Sequence, residues 1–172
     1  MTDFPDCVEK ARNGDTEAFA KLYSTIYKEL YYVALCNLKN SHDAADVVSD
    51  TVLDAFMSIS KLKNADAFKG WMMKILTTKI KRKQAEYIQN RNNTISTPEN
   101  NEQTDRDNRF GEIEILEQLD SLNENEKLCF SLNAVCGYTS EDISKMIGMK
   151  SSTVRSHLLR GKEKLKKLLV SD

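Results

Sequence analysis

The sequence predicts an all-α protein of two small helical domains joined by a flexible linker. Three observations lead there. Only 6 Gly and 2 Pro punctuate 172 residues, too few turn formers for a many-stranded fold. Apolar residues recur at i, i+3, i+4 and i+7 along most of the chain, the spacing of one helix face. One stretch, 89–111, breaks the pattern, with Ile95 and Phe110 as its only sizeable apolar side chains. Such a segment buries too little surface to offset the entropy of ordering it.

The elements follow in order. Phe19, Leu22, Tyr23, Ile26, Tyr27, Leu30, Val33 and Ala34 mark a first helix. Asn40-Ser41-His42-Asp43 is a turn in which Ser41 is the candidate N-cap and Asp43 suits the positive end of the next helix dipole. That second helix carries Ala44, Val47, Val48, Thr51, Val52, Ala55, Phe56 and Ile59, and a third, over about 68–87, carries Phe68, Trp71, Met72, Ile75 and Leu76. Together they read as a compact bundle, followed by a linker over 91–111. A second apolar series, from Ile113, Leu116, Leu119 and Leu122 through Leu128, Phe130, Leu132 and Val135 to Leu168, reads as a second helical domain.

Charge excludes some classes and sorts others. With 25 Lys+Arg against 26 Asp+Glu the formal charge is −1, which is neither a disordered polyanion nor a DNA-coating polycation. No run approaches the ~18 apolar residues of a membrane helix, and the N-terminal M-T-D-F-P-D-C is acidic where a signal peptide is basic, so a cytoplasmic protein without membrane insertion is expected. Cys7, Cys36, Cys129 and Cys136 form no C-x-x-C pair and read as small buried hydrophobes; with no cysteine pair near His42 or His157, no metal or other cofactor is expected. By segment, however, 74–91 holds six bases and one acid, 92–126 ten acids and two bases, and 145–167 eight bases and one acid. Each domain thus closes on a cationic block.

The stretch 138–169 has the form of a helix-turn-helix. Thr139 caps a short helix whose first turn includes Asp142, Gly148 supplies the positive φ of a tight turn, and Ser151 or Ser152 caps a second helix. Val154, Leu158 and Leu165 pack inward while Arg155, Ser156, His157 and Arg160 face out. This geometry lays the second helix in a major groove. Ser152, Thr153, Arg155, Ser156, His157 and Arg160 are the candidate base or phosphate contacts, and Lys162 and Lys164 neutralise backbone charge.

Four stretches then carry a family resemblance: D-T-E-A-F-A-K-L-Y at 15–23, D-A-A-D-V-V-S-D-T-V at 43–52, F-K-G-W-M-M-K-I at 68–75, and S-L-N-E-N-E-K followed by the helix-turn-helix. In this order and spacing they resemble the extracytoplasmic-function sigma factors, two-domain initiation subunits of bacterial RNA polymerase in the sigma-70 family. The resemblance implies that 10–90 is sigma domain 2 and 112–170 is sigma domain 4. It implies partners in core RNA polymerase, through the β′ clamp helices and the β flap, in promoter DNA, and in an anti-sigma factor.

The helix over 43–59 would dock on the clamp helices. Its Asp43, Asp46, Asp50 and Asp54 form a self-repelling acidic stripe that a basic partner would cover. The resemblance places downstream-element contacts on Lys69, Lys74, Thr78, Lys81 and Arg82, and places Lys63 and Asn64 in a loop that captures a flipped base. Trp71, in phase with the apolar series, reads as core. Nothing resembles a nucleotide loop or a catalytic constellation, so no enzymatic activity is expected. The rival reading is a stand-alone helix-turn-helix regulator acting without core polymerase.

Overall fold

The chain is described by a computed structural model covering residues 3–93 and 116–171. Among these residues every regular element is helical. α1 (Phe4–Arg12) starts with Pro5 in its first turn and buries Cys7, Val8 and Ala11, while the Phe4 ring meets Phe68 edge-on at 6.0 Å. α1 thus lies mostly ahead of residue 10, the expected start of the first domain. In α2 (Thr16–Leu38) the Asp15 side chain accepts from the Ala18 N–H, and Phe19, Leu22, Ile26, Leu30, Val33 and Ala34 are buried as the periodicity requires, whereas Tyr23 of the same series is half-buried and Tyr27 exposed at its edge. Lys39, in the left-handed region at φ 55, ends it. α3 (Ser41–Ser58) is capped by Asn40, whose side chain accepts from the Asp43 N–H, and not by Ser41, which is already the first helical residue.

α4 (Phe68–Asn93) outruns the expected end near Tyr87 and enters the expected linker. Residues 81–93 lack Gly and Pro and include Lys, Arg, Gln, Ala and Glu, so helix propensity carries them past the last buried apolar contact. The remainder of the expected linker, 94–111, lies outside the described residues. α5 (Glu124–Cys136) opens with a capping box between Asn123 and Glu126 and stops at Gly137 with φ 74. α6 (Ser140–Ile147) has the expected Thr139 and Asp142 capping box and the expected stop at Gly148, φ 71. α7 (Ser151–Val170) has Lys150 as its N-cap with no side-chain cap, so neither Ser151 nor Ser152 fills that role.

The two helical domains dock. Their cores form one continuous apolar cluster, from Val8 and Leu30 through Leu76 and Ile80 to Leu128, Leu132, Ile143 and Val154. A buried polar relay crosses the seam: Asn37 Nδ2 donates to the Val33 carbonyl at 2.7 Å and to Ser131 Oγ at 3.0 Å, and Gln84 Nε2 donates to the Asn37 carbonyl at 3.4 Å. Lys39 pairs with Asp120, and Lys81 Nζ reaches the Ile147 carbonyl at 3.3 Å. All four cysteines are free thiols; Cys7 and Cys129 are buried, while Cys36 and Cys136 are half-buried. Burial pushes the Cys36 and Cys129 thiols up to about 11 and Cys136 to about 12, so they stay protonated and pack as small hydrophobes.

Candidate nucleic-acid interface

The helix-turn-helix is built locally. The Gly148 turn is closed by the Ser144 hydroxyl donating to the Met149 carbonyl, and Val154 and Leu158 seat α7 on α5 and α6. This leaves Ser152, Thr153, Arg155, Ser156, Arg160 and Lys162 exposed along α7. Arg155 Nη1 lies 3.4 Å from Ser151 Oγ, and the Ser156 hydroxyl donates to the Ser152 carbonyl at 3.0 Å.

Two sequence-assigned contacts sit differently. His157 is buried, 8% exposed, with its Nδ1 3.2 Å from Arg160 Nη2. The expected outward position fails because its place on the helix falls beside Val154 and Leu158, on the packed side. Lys164 turns back to Glu126, its Nζ 2.7 Å from Oε2. Glu126 is 1% exposed, accepts the Asn123 N–H at 3.2 Å, and lies 3.7 Å from Arg160 Nε. Burial pushes this carboxyl up, but the hydrogen bonds from Lys164 and the Asn123 backbone and the charges of Lys164 and Arg160 prevail, holding it below the usual glutamate value. Glu126, in the first turn of α5, therefore anchors α7, the second helix of the helix-turn-helix.

Burial, then the charge of Arg160, holds the His157 imidazole below its ordinary 6.5 despite the opposing pull of Glu126. In the unfolded chain this imidazole takes up a proton as the pH falls through 6.5, while the folded one stays neutral to lower pH. Stability from this group is thus fully present above 6.5 and declines below it. Urea midpoints measured at about pH 7.5 and about pH 5.5 should differ less in His157→Gln than in the wild type. An unchanged difference would remove His157 from that slope.

On α4, Lys74, Thr78 and Lys81 share one exposed face at i, i+4 and i+7. Arg82, exposed one turn beyond Thr78, borders the same face and reaches toward α3 as well. It lines a groove between α3 and α4 with Asp46, Asp50, Lys79, Lys83 and Glu86. Lys63, Asn64 and Lys69 are exposed before and within the first turn of α4, and the Asn64 side chain accepts the Asp66 N–H at 3.0 Å, capping a short 3-10 turn at Ala65–Ala67. Trp71 is half-buried and packs on the core, its ring 6.2 Å from that of Phe68.

The acidic stripe divides into two pairs. Asp43 accepts from the Tyr87 hydroxyl and lies 3.6 Å from Lys83 Nζ, while Asp54 pairs with Lys79 at 2.6 Å. Burial, then the hydrogen bond and charge of Asp43, push the Tyr87 hydroxyl far up. Asp46 and Asp50 stay exposed on the groove rim. Beside them Leu53 is 60% and Met57 80% exposed. The sequence reading missed this pair, although each follows an aspartate of the stripe by three residues and so falls out of phase with the core positions.

A helix-turn-helix with a basic outer face, carried beside a second helical domain that presents acids and apolar side chains together, defines a DNA-binding transcription protein with a protein partner. Comparison with known proteins gives its family. The model of sigma-70 region 2 matches residues 22–87, and that of sigma-70 region 4 matches 112–165. The ECF RNA polymerase sigma-E factor of Haemophilus influenzae is 26% identical, with 91% of this chain and 89% of that protein covered. RNA polymerase sigma factor SigV of Bacillus subtilis is 26% identical over 77% of this chain and 80% of its own length. Among solved structures, CnrH in complex with the cytosolic domain of CnrY shares the fold at TM-score 0.72 and 19% identity, covering 98% of each chain. The sigma factor RpoE in complex with the anti-sigma factor NepR from Bartonella quintana does so at 0.71 and 19%, covering 91% of this chain and 99% of that one.

The chain belongs to the sigma-70 family, as an extracytoplasmic-function sigma factor. It is an RNA polymerase sigma factor that directs promoter-specific initiation, which the stand-alone regulator reading does not match. No described helix is long and apolar enough to cross a membrane.

Proposed function

We propose that domain 2, over about 10–90, docks on the polymerase β′ clamp helices through Asp46 and Asp50, with Leu53 and Met57 adding apolar contact. The observation that carries this is the split stripe: Asp43 and Asp54 are engaged by α4, while Asp46 and Asp50 are exposed beside uncovered apolar side chains. Acidic groups steer the encounter with a basic partner and apolar ones hold it. Lys74, Thr78 and Lys81 track the downstream strand, and Lys63, Asn64 and Lys69 act at the loop beside them. Domain 4, over about 112–170, contacts the β flap and reads the upstream element through Ser152, Thr153, Arg155, Ser156 and Arg160, with Lys162 on the backbone. Lys164 and His157 shape this surface from behind.

Binding energy alone performs the work in the cytoplasm, without covalent chemistry. Because a structural neighbour is solved with an anti-sigma factor, an anti-sigma protein is included among the partners.

Run-off transcription tests the assignment. The purified chain should bind promoter duplex weakly alone and give promoter-specific transcripts once core polymerase is added. Tight sequence-specific binding without polymerase would contradict it. Arg155→Ala should reduce upstream-element recognition by about 1–3 kcal/mol at the base pair it reads, whereas a uniform loss across sequences would make Arg155 a phosphate contact.

A further inference from the structure

We propose that α1 is a positioning element for promoter opening: through Phe4 it braces the loop that carries Lys63 and Asn64 in the shape that receives an unstacked base. The inference rests on the base-capture role given to that loop above. The loop has little of its own to hold it. It runs from a 3-10 turn at Ile59–Lys61 to the one at Ala65–Ala67 and closes on three local bonds. The Leu62 N–H donates to the Ile59 carbonyl at 3.0 Å, the Ala67 N–H to the Asn64 carbonyl at 3.1 Å, and the Asp66 N–H to the Asn64 side chain at 3.0 Å. Hydrogen bonds in 3-10 turns have poor geometry, so a loop built on two of them depends on packing to select one shape.

That packing comes from α1. The helix lies against both 3-10 turns and so spans the loop from foot to foot. Cys7, Val8 and Ala11 are buried in one cluster with Ile59 and Leu62 ahead of the loop and Phe68 behind it. Phe4 completes the brace: its ring meets the fully buried Phe68 edge-on at 6.0 Å, and Phe68 lies 6.2 Å from Trp71. With its feet held, the loop turns Lys63, Asn64 and Asp66 to solvent while Ala65 packs inward. A site that catches a base leaving the stack works best when formed beforehand, because ordering it at that moment adds to the cost of unstacking. Phe4 reaches the loop through Phe68, and so acts by positioning it.

The test uses the full chain carrying Phe4→Ala, with Phe4→Leu as the conservative variant and Asn64→Ala as the reference for the loop itself. In Phe4→Ala the amides of Asp66 and Ala67 should exchange hydrogen about fivefold faster, the factor expected from losing one aromatic edge contact, while Leu30 and Leu76 in the core keep wild-type rates. Phe4→Leu should restore most of the protection. With core polymerase on a duplex promoter, Phe4→Ala should co-purify normally but open the DNA about fivefold more slowly, read by permanganate at unpaired thymines. Added to Asn64→Ala, it should slow opening by less than about twofold more, since both act through one loop. Wild-type exchange at Asp66 and Ala67 in Phe4→Ala overturns the brace. So does wild-type opening by Phe4→Ala where Asn64→Ala is slow, and so does full additivity of the two, which would place the effect of Phe4 outside the loop. Wild-type opening by Asn64→Ala is the separate failure of the base-capture reading, and it removes the functional role of α1 whatever Phe4→Ala does.

Discussion

Replacing Asp46 and Asp50 together with lysine should abolish co-purification with core RNA polymerase while leaving the fold intact. Both side chains are exposed on the rim of the α3/α4 groove, so reversing them disturbs neither the core nor a helix cap. Surface substitutions of this kind shift stability by about 0.5 kcal/mol each. Opposed like charges at a steered interface cost several kcal/mol, enough to remove a micromolar complex. The companion pair supplies the contrast. Asp43→Lys and Asp54→Lys would break contacts with Tyr87, Lys83 and Lys79, and should lower the melting temperature before they alter polymerase binding. Polymerase retention by the Asp46/Asp50 variant at wild-type level would remove this face from the interface.

Glu126→Ala should cost about 3 kcal/mol of domain 4 stability and blunt upstream-element recognition. The substitution deletes half of the α5 capping box, worth about 1 kcal/mol, and a charge-assisted hydrogen bond from Lys164, worth about 1.5–3 kcal/mol. It also frees Arg160 and Lys164, whose ion pairs to Glu126 tie α7, the helix proposed to read the upstream element, to α5. Glu126→Gln keeps the length and an acceptor for the Asn123 N–H, so it should recover the cap but not the ion pairs. Denaturation of the full chain with urea checks the first effect, and transcription from promoters differing in the upstream element checks the second. A Glu126→Ala chain as stable as the wild type would show the anchor to be idle.

The helices, their buried faces and the helix-turn-helix were legible because each is written in local terms: apolar spacing, the Thr139 and Asp142 box, and Gly148 where φ must be positive. α1 was not, because one short helix with three buried residues is too brief for its period to register. His157 and Glu126 mark a second limit. Both look like surface residues in sequence, and their burial follows from how α5 and α7 cross, which no local pattern encodes. The division of the acidic stripe has the same origin, since Tyr87, Lys79 and Lys83 reach Asp43 and Asp54 from a different helix. Docking of the domains was likewise hidden, as the positions that make the seam, Asn37, Gln84 and Ser131, are polar and belong to no apolar series.

The apolar cluster that runs unbroken through both domains links conformation to protein turnover. Domain 4 is close to the size, about 60 residues, below which a single core leaves little margin. Leu128, Cys129 and Leu132 share their cluster with Val33 and Leu76, so parting the domains strips shelter from the smaller one. Any parting of that seam would leave the smaller domain loosened and partly uncovered, so resistance to a protease reports on the contact between the domains as much as on either core.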